Sequence, residues 1–350
     1  MPSLGMLVYG PDDKRSTGFM KFRDGLVKSV AYICQFHEVD FFYFSPEDID
    51  YSKQKINGRA FNGAGWAKVE KDYPDMVYDR LRAHKHMDLK VYDELKSSVF
   101  NCLHLRNIGG KKGTYEHFKE EGFIIPFDMV NNVSDVDAFL KKHDKIILKP
   151  VALSGGDGVY SIEVSRAEGL YKVGGRSDVK VLNKEEFVKF VEKRLSKSKY
   201  IVQKFVEAFT KEGSPYDIRV GMSKNGKNEW EILKIVPKIG VKGGEITSLG
   251  AYGGSYGIWK GFIEHNFGKS EYEGIDTEIR RISLEICKKM ENYKGNRLSE
   301  LGLDLILDKN KGIYLLEANT TPGIVQYDLE LAEAQVNYLL YLYREGGKNG

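Results

Sequence analysis

Near the C-terminus two apolar runs, Leu301–Leu307 and Ile313–Ala318, each carry one carboxylate, Asp304 in the first and Glu317 in the second. The link between them, Asp308-Lys309-Asn310-Lys311-Gly312, is rich in turn formers, so the pair reads as two neighbouring strands. Like charges buried on adjacent strands are costly unless a cation lies between them. Asn319, two residues beyond Glu317, shares its strand face. Carboxylates and an amide oxygen are the hard donors that Mg2+ takes, and Mg2+ readily shares its ligands with phosphates. Either acid alone reads as well as an edge residue pointing to water. The three together favour a metal set of Asp304, Glu317 and Asn319.

A metal–phosphate site also needs groups that hold the phosphates. Ser154-Gly155-Gly156-Asp157-Gly158 lies between two apolar runs, and three glycines in four positions let backbone N–H groups curl around phosphate oxygens. Strand–loop–strand is neither a Walker loop nor a Rossmann turn, both of which open a helix. Taken alone, the loop reads equally as a glycine hairpin. Lys149 says more: it ends the run Ile146-Ile147-Leu148, where a lysine needs an anion to offset its desolvation. The strand Tyr200–Val206 either presents backbone to an adenine edge or is an ordinary core strand, and periodicity does not separate these. Asp217-Ile218-Arg219 puts an acid and an arginine on one strand face. Arg219 is then a plain cross-strand ion pair or a guanidinium fork for transferred phosphate. Gly240–Gly257 is a long glycine-rich stretch of the kind that usually carries function.

The 350 residues suggest two or three lobes, and 41% hydrophobic residues suffice for their cores. A net charge of +3 gives no field that would gather nucleic acid. Cys34, Cys102 and Cys287 form no CxxC pair and read as reduced thiols of an intracellular chain. With no signal-peptide pattern and no uncharged run of membrane-spanning length, a soluble, cytoplasmic protein is expected. His84, His86, His104 and His117 lack metal-ligand spacing on a helix, and no Ser/His/Asp or Cys/His nucleophile set stands out.

Hydrophobic spacing predicts an α/β layer first: strands at Leu4–Tyr9, Val39–Phe44 and Met76–Tyr78, and a helix bearing Phe19, Phe22, Leu26, Val30 and Ile33. Thr114 and Ser134 are expected to cap the next two helices. From Lys145 the pattern is mostly strand, an α+β arrangement, with helices at Lys184–Leu195, Thr277–Met290 and Leu329–Tyr343. Asn225-Gly226 signals a two-residue hairpin.

In this order — lysine, glycine loop, apolar strand ending in an acid, Asp-x-Arg, a Gly-Gly loop, then Asp and Glu-x-Asn — the pieces resemble the ATP-grasp superfamily over roughly residues 101–331. Asp75-Met76-Val77-Tyr78-Asp79-Arg80, Phe100-Asn101, Tyr216-Asp217-Ile218-Arg219-Val220 and Leu315-Leu316-Glu317-Ala318-Asn319-Thr320-Thr321-Pro322-Gly323 are most similar to its YheC/YheD, endospore coat-associated branch. The resemblance implies three lobes: a pre-ATP-grasp α/β lobe at 1–100, a middle lobe at 101–205 and a C-terminal lobe at 206–350, with ATP between the last two. It implies that Lys149 and Lys111 (or Lys112) bind phosphate and that Ser154, Gly155, Gly156 and Gly158 close over it. Gln203, Lys204, Phe205 and Val206 would hold adenine, Glu207 the ribose, and Asp304, Glu317 and Asn319 the Mg2+. Arg219 and Lys238 would be catalytic, steadying the transferring phosphoryl group. Lys238 stands where the family commonly has arginine, and Ser248 where it has asparagine. Both departures fall at the substrate end. The implied activity is a carboxylate–amine ligase joining a small-molecule or peptide carboxylate to an amine through an acyl phosphate. The alternatives are a small-molecule kinase on the same ATP site and a coat-associated structural protein without turnover.

Overall fold

The computed structural model describes residues 1–12, 14, 22–81, 111–151, 157–165, 167–175, 179–247, 253–294, 298–320, 322–323 and 327–346, without the side chains of 111, 112, 294 and 346. Its described strands form three sheets. The first joins β1 (Ser3–Leu7), β2 (Asp40–Phe44), β3 (Ile49–Asp50), β4 (Lys55–Phe61), β5 (Trp66–Asp72) and β6 (Met76–Asp79), with β1 parallel to both β2 and β6. Helix α1 (Asp24–Phe36) buries Leu26, Val27, Val30, Ala31 and Cys34 against it, a stripe at helical spacing. The β4–β5 hairpin was not foreseen, since Lys55–Phe61 lacks clean alternation. Phe19 lies outside the described residues, and Phe22 precedes the helix.

Helix α2 (Lys111–His117) leads to the second sheet, which runs β11-β10-β9-β8-β12-β7 and is antiparallel throughout. Its strands are β7 (Phe127–Val130), β8 (Lys145–Pro150), β9 (Tyr160–Ser165), β10 (Leu170–Gly174), β11 (Val179–Leu182) and β12 (Tyr200–Lys204). Helices α3 (Val133–Lys142) and α4 (Lys184–Leu195) cover one face, where Val136, Phe139, Phe187 and Val191 pack on Ile146, Leu148, Ile162 and Val202. Two capping expectations change. Thr114 sits buried inside α2 and does not start it. Asn132, not Ser134, caps α3: its Oδ1 accepts from the N–H groups of Ser134 (2.9 Å) and Asp135 (3.3 Å), while Asp135 reaches back to Asn132 N–H at 3.1 Å. The reciprocal capping box satisfies donors at both ends, which a serine two residues later does not do.

The third sheet runs β15-β14-β13-β16-β17: β13 (Tyr216–Lys224), β14 (Trp230–Ile239), β15 (Ser255–Tyr256), β16 (Glu300–Leu307) and β17 (Ile313–Asn319), all antiparallel. Ile218, Val220, Leu303 and Leu305 line one face and pack on α5 (Trp259–Asn266) and α6 (Tyr272–Lys294), whose Ile279, Ile282, Ile286 and Met290 form the expected stripe. The β13–β14 turn is not the two-residue hairpin that Asn-Gly suggests. Asn225 N–H donates to Glu229 O at 2.9 Å, and the residue at positive φ is Asn228 (63°) rather than Gly226. The Asn225 side chain accepts from Lys227 and Glu229 N–H groups, which fixes the longer loop.

The last helix, α7 (Asp328–Gly346), returns to the first sheet: Leu331, Ala332, Val336, Leu339 and Leu340 share a core with Leu4, Met6, Leu26 and Val30. Gly221 of β13, opposite a β-bulge at Leu233 of β14, is the seat for the Tyr327 ring, since a Cβ there would stand 2.7 Å from Tyr327 Cζ. Gly221→Ala should therefore lower stability by about 1–3 kcal/mol, read as a drop in unfolding midpoint. Among the described residues no helix is long and apolar enough to cross a membrane.

Candidate active site

Strand alternation decides which side chains meet. The face of the third sheet opposite its apolar core carries Asp217 and Arg219 on β13, Asp304 on β16 and, across the ladder, Glu317 and Asn319 on β17. Arg219 pairs in register with Asp304, and Asp304 with Glu317. Strict alternation along β17 would put Glu317 on the same face as Leu315, which is buried in the core. The register slips by one residue between Leu315 and Glu317, and this bulge at Leu316 turns Glu317 over to Asp304.

Arg219 grips Asp304 with two parallel bonds, Nε to Oδ1 at 2.8 Å and Nη2 to Oδ2 at 2.9 Å, and its Nη1 donates to Gly323 O at 3.0 Å. Lys238 bridges Asp304 Oδ1 at 2.7 Å and Asp217 Oδ1 at 2.6 Å. Asn319 Nδ2 donates to Asp304 Oδ2 at 3.3 Å. So the same-face acid and arginine of β13 do not pair with each other: Arg219 takes Asp304, and Lys238 takes Asp217. Burial alone would raise the Asp304 carboxyl, but Arg219 and Lys238 overcome this and hold it below the usual carboxylate range. Asp217, buried and beside the like charge of Asp304, is pushed up despite Lys238. Burial opposes the charge on Lys238, and its two carboxylates more than restore it. The charge of Asp304 is thus balanced by two side-chain cations, where the sequence argument looked to a metal. Among the described residues no group of three or more His, Cys, Asp or Glu gathers as a metal cluster.

Lys149 approaches from the second sheet. It pairs in register with Ile201, which belongs to the core between the second and third sheets, so alternation aims Lys149 into that space and Leu148 away from it. It is 7% exposed. Its Nζ donates to Tyr115 Oη of α2 at 2.8 Å, and the Tyr115 hydroxyl donates to Leu316 O, the bulged residue of β17. Burial lowers the Lys149 ammonium to about 8, and the charge of Glu317 opposes that. Tyr115 was not foreseen as a site residue, and nothing in Lys111-Lys112-Gly113-Thr114-Tyr115 marks it.

Of the expected nucleotide contacts, Ser154, Gly155 and Gly156 lie outside the described residues, as do the side chains of Lys111 and Lys112. Gly158 has φ of 71°, which glycine adopts freely, and a Cβ there would stand 2.9 Å from Tyr200 Oη. Gln203 is buried with Nε2 to Ile125 O at 3.5 Å, Lys204 is exposed, and the β12 ladder ends where Phe205 N–H donates to Lys145 O at 3.2 Å. Val206 follows that last bond. Glu207 pairs with Lys309 at 2.6 Å on the surface, away from the buried cluster.

A family model described as YheC/D like ATP-grasp matches residues 102–343. The chain is 24% identical over 300 residues to the endospore coat-associated protein YheD of Bacillus subtilis (strain 168), covering 81% of this chain but only 64% of YheD. It is 25% identical over 297 residues to the endospore coat-associated protein YheC of the same organism, covering 81% of each. In structure it is similar to the D-alanine–D-alanine ligase from Coxiella burnetii, with a TM-score of 0.54, 12% identity, and coverage of 100% of this chain and 98% of that one. At that identity the likeness is one of fold.

Proposed function

The chain belongs to the YheC/D-like ATP-grasp family, and from that premise we propose that it is an ATP-dependent carboxylate–amine ligase working through an acyl phosphate. One observation carries the reading. Lys149 is a buried ammonium with no carboxylate at ion-pair distance among the described residues, aimed between the second and third sheets and toward the acidic strand β17. A buried cation whose partner is a neutral phenol is stabilised by an arriving anion, and a triphosphate supplies one.

Lys149 then holds phosphate, with Lys111 and the loop Ser154, Gly155, Gly156 and Gly158 completing the cradle. Gln203, Lys204, Phe205 and Val206 line the adenine end, where the ladder stops at Phe205. Glu207 takes the ribose by giving up Lys309, an exchange that costs little because surface ion pairs are weak. Asp304, Glu317 and Asn319 would hold Mg2+. They fit in donor type and in register, with one condition set by the hydrogen bonds. Asp304 already accepts four bonds, from Arg219 twice, Lys238 and Asn319, which fills its lone pairs. Reversing the Asn319 amide frees one of them and turns an oxygen toward the same point. When bound, Mg2+ would neutralise triphosphate charge.

The substrate carboxylate attacks the γ-phosphorus, the bond to ADP breaks, and an acyl phosphate forms. Lys149 stays on phosphate while Arg219 and Lys238, fixed by their carboxylates, face the group in transit. An amine nitrogen then attacks the acyl carbon, and inorganic phosphate leaves. Hydroxylamine tests this directly. With a panel of amino acids and peptides as carboxylates, ADP should appear together with a hydroxamate. Arg219→Lys should cut hydroxamate yield by about 10²-fold while changing ADP affinity little, because a lysine cannot hold both Asp304 oxygens and still present charge to the group in transit. AMP release, or a stable phosphate ester that hydroxylamine leaves intact, would overturn the ligase reading.

A further inference from the structure

The segment joining β14 to β15 carries one acid that leaves its own sheet. Glu245 crosses to the second sheet, where its Oε1 lies 2.9 Å from Lys145 Nζ on β8 and 3.6 Å from Lys172 Nζ on β10. The carboxylate also bonds to the Ser161 side chain of β9 and rests on Gly174, where a Cβ would stand 3.2 Å from Glu245 Oε2. Ladder register puts Lys145, Ser161, Lys172 and Gly174 on one face of the sheet. Lys149, four residues after Lys145 on the same strand, shares that face. The Glu245 side chain is only 14% exposed, yet Ser161 and the two lysines keep its carboxyl below the usual range against the effect of burial.

Lys145 continues the chain of contacts. Its Nζ lies 4.3 Å from the centre of the Phe205 ring, and its carbonyl accepts the Phe205 N–H. An ammonium over an aromatic face stays there when its remaining donors are satisfied; Glu245 at 2.9 Å is the nearer of its two acids, with Glu163 of β9 at 3.7 Å. We propose that Glu245 is a positioning residue for the nucleotide: acting through Lys145, it sets the Phe205 wall at the adenine end and holds residues 241–247 against the second sheet. This rests on the reading that ATP lies between these two sheets.

Calorimetric titration with ADP and, separately, with inorganic tripolyphosphate, which has no base, tests it. In Glu245→Gln, ADP affinity should fall about tenfold while tripolyphosphate affinity stays at the wild-type value; the thermal midpoint should fall modestly, because a carboxylate held below its usual range stabilises the fold at neutral pH. Glu245→Asp should recover part of the loss. Hydrogen exchange at 241–247 should quicken in the Gln variant. Unchanged ADP affinity in a folded Glu245→Gln protein, or equal losses for ADP and tripolyphosphate, would overturn the proposal. A wild-type protein that binds tripolyphosphate but not ADP would overturn it as well. A wild-type protein that binds neither would remove the ATP-site reading itself.

Discussion

Replacing Lys149 with methionine should give a protein that is more stable at pH 7 and nearly inert toward ATP. The side chains are similar in length, so packing is kept while a buried charge goes. With its ammonium lowered to about 8, Lys149 binds its proton less tightly when folded than when unfolded. The penalty is therefore full below about pH 8 and fades as pH rises toward the ordinary lysine value near 10.5, where the unfolded chain also loses the proton. It amounts to at most about 3 kcal/mol. Denaturant midpoints should thus favour the Met variant at pH 7 and converge with wild type by about pH 10. Turnover should fall about 10²–10³-fold, the usual consequence of losing one preorganised charge on the reacting group. A stability gain without loss of turnover would leave Lys149 as a burial defect with no part in the chemistry.

The second large effect is expected at Glu317. Glu317→Gln keeps size and hydrogen-bonding reach and removes the charge facing Asp304. ADP release at millimolar magnesium should fall about 10²-fold or more, and part of the activity should return as magnesium is raised. The fold should be undisturbed, because the variant takes away a like-charge neighbour of Asp304. Magnesium titrations of wild type and variant that superimpose would remove Glu317 from the metal set.

Much of this architecture could be read from residue order. The stripe Ile279, Ile282, Ile286 and Met290 needs only helical period, and the face of Lys149 needs only strand period. Both signals are local. What escaped depends on neighbours remote in sequence. Glu317 reaches Asp304 through a one-residue slip at Leu316, and a slip leaves no mark in composition. Tyr115 matters because α2 sets its hydroxyl between Lys149 and that bulge, a meeting of three segments. The side-chain cations around Asp304 were hidden for the same reason: Lys238 and Arg219 arrive from two other strands to meet it. Glu245 sat inside a stretch singled out only for its glycines, and its partners lie on three strands of a different sheet.

The return of α7 to the first sheet has a consequence for birth on the ribosome. Leu4, Met6, Leu26 and Val30 are covered by residues near 331–340, and roughly 250 residues separate β6 from that helix. At about 5–20 residues per second the opening lobe waits on the order of 10–50 s with an oily flank uncovered. In that interval the nascent chain is a client for chaperones that hold apolar surface, and a ribosome stalled anywhere before α7 emerges would strand a first lobe lacking its last wall.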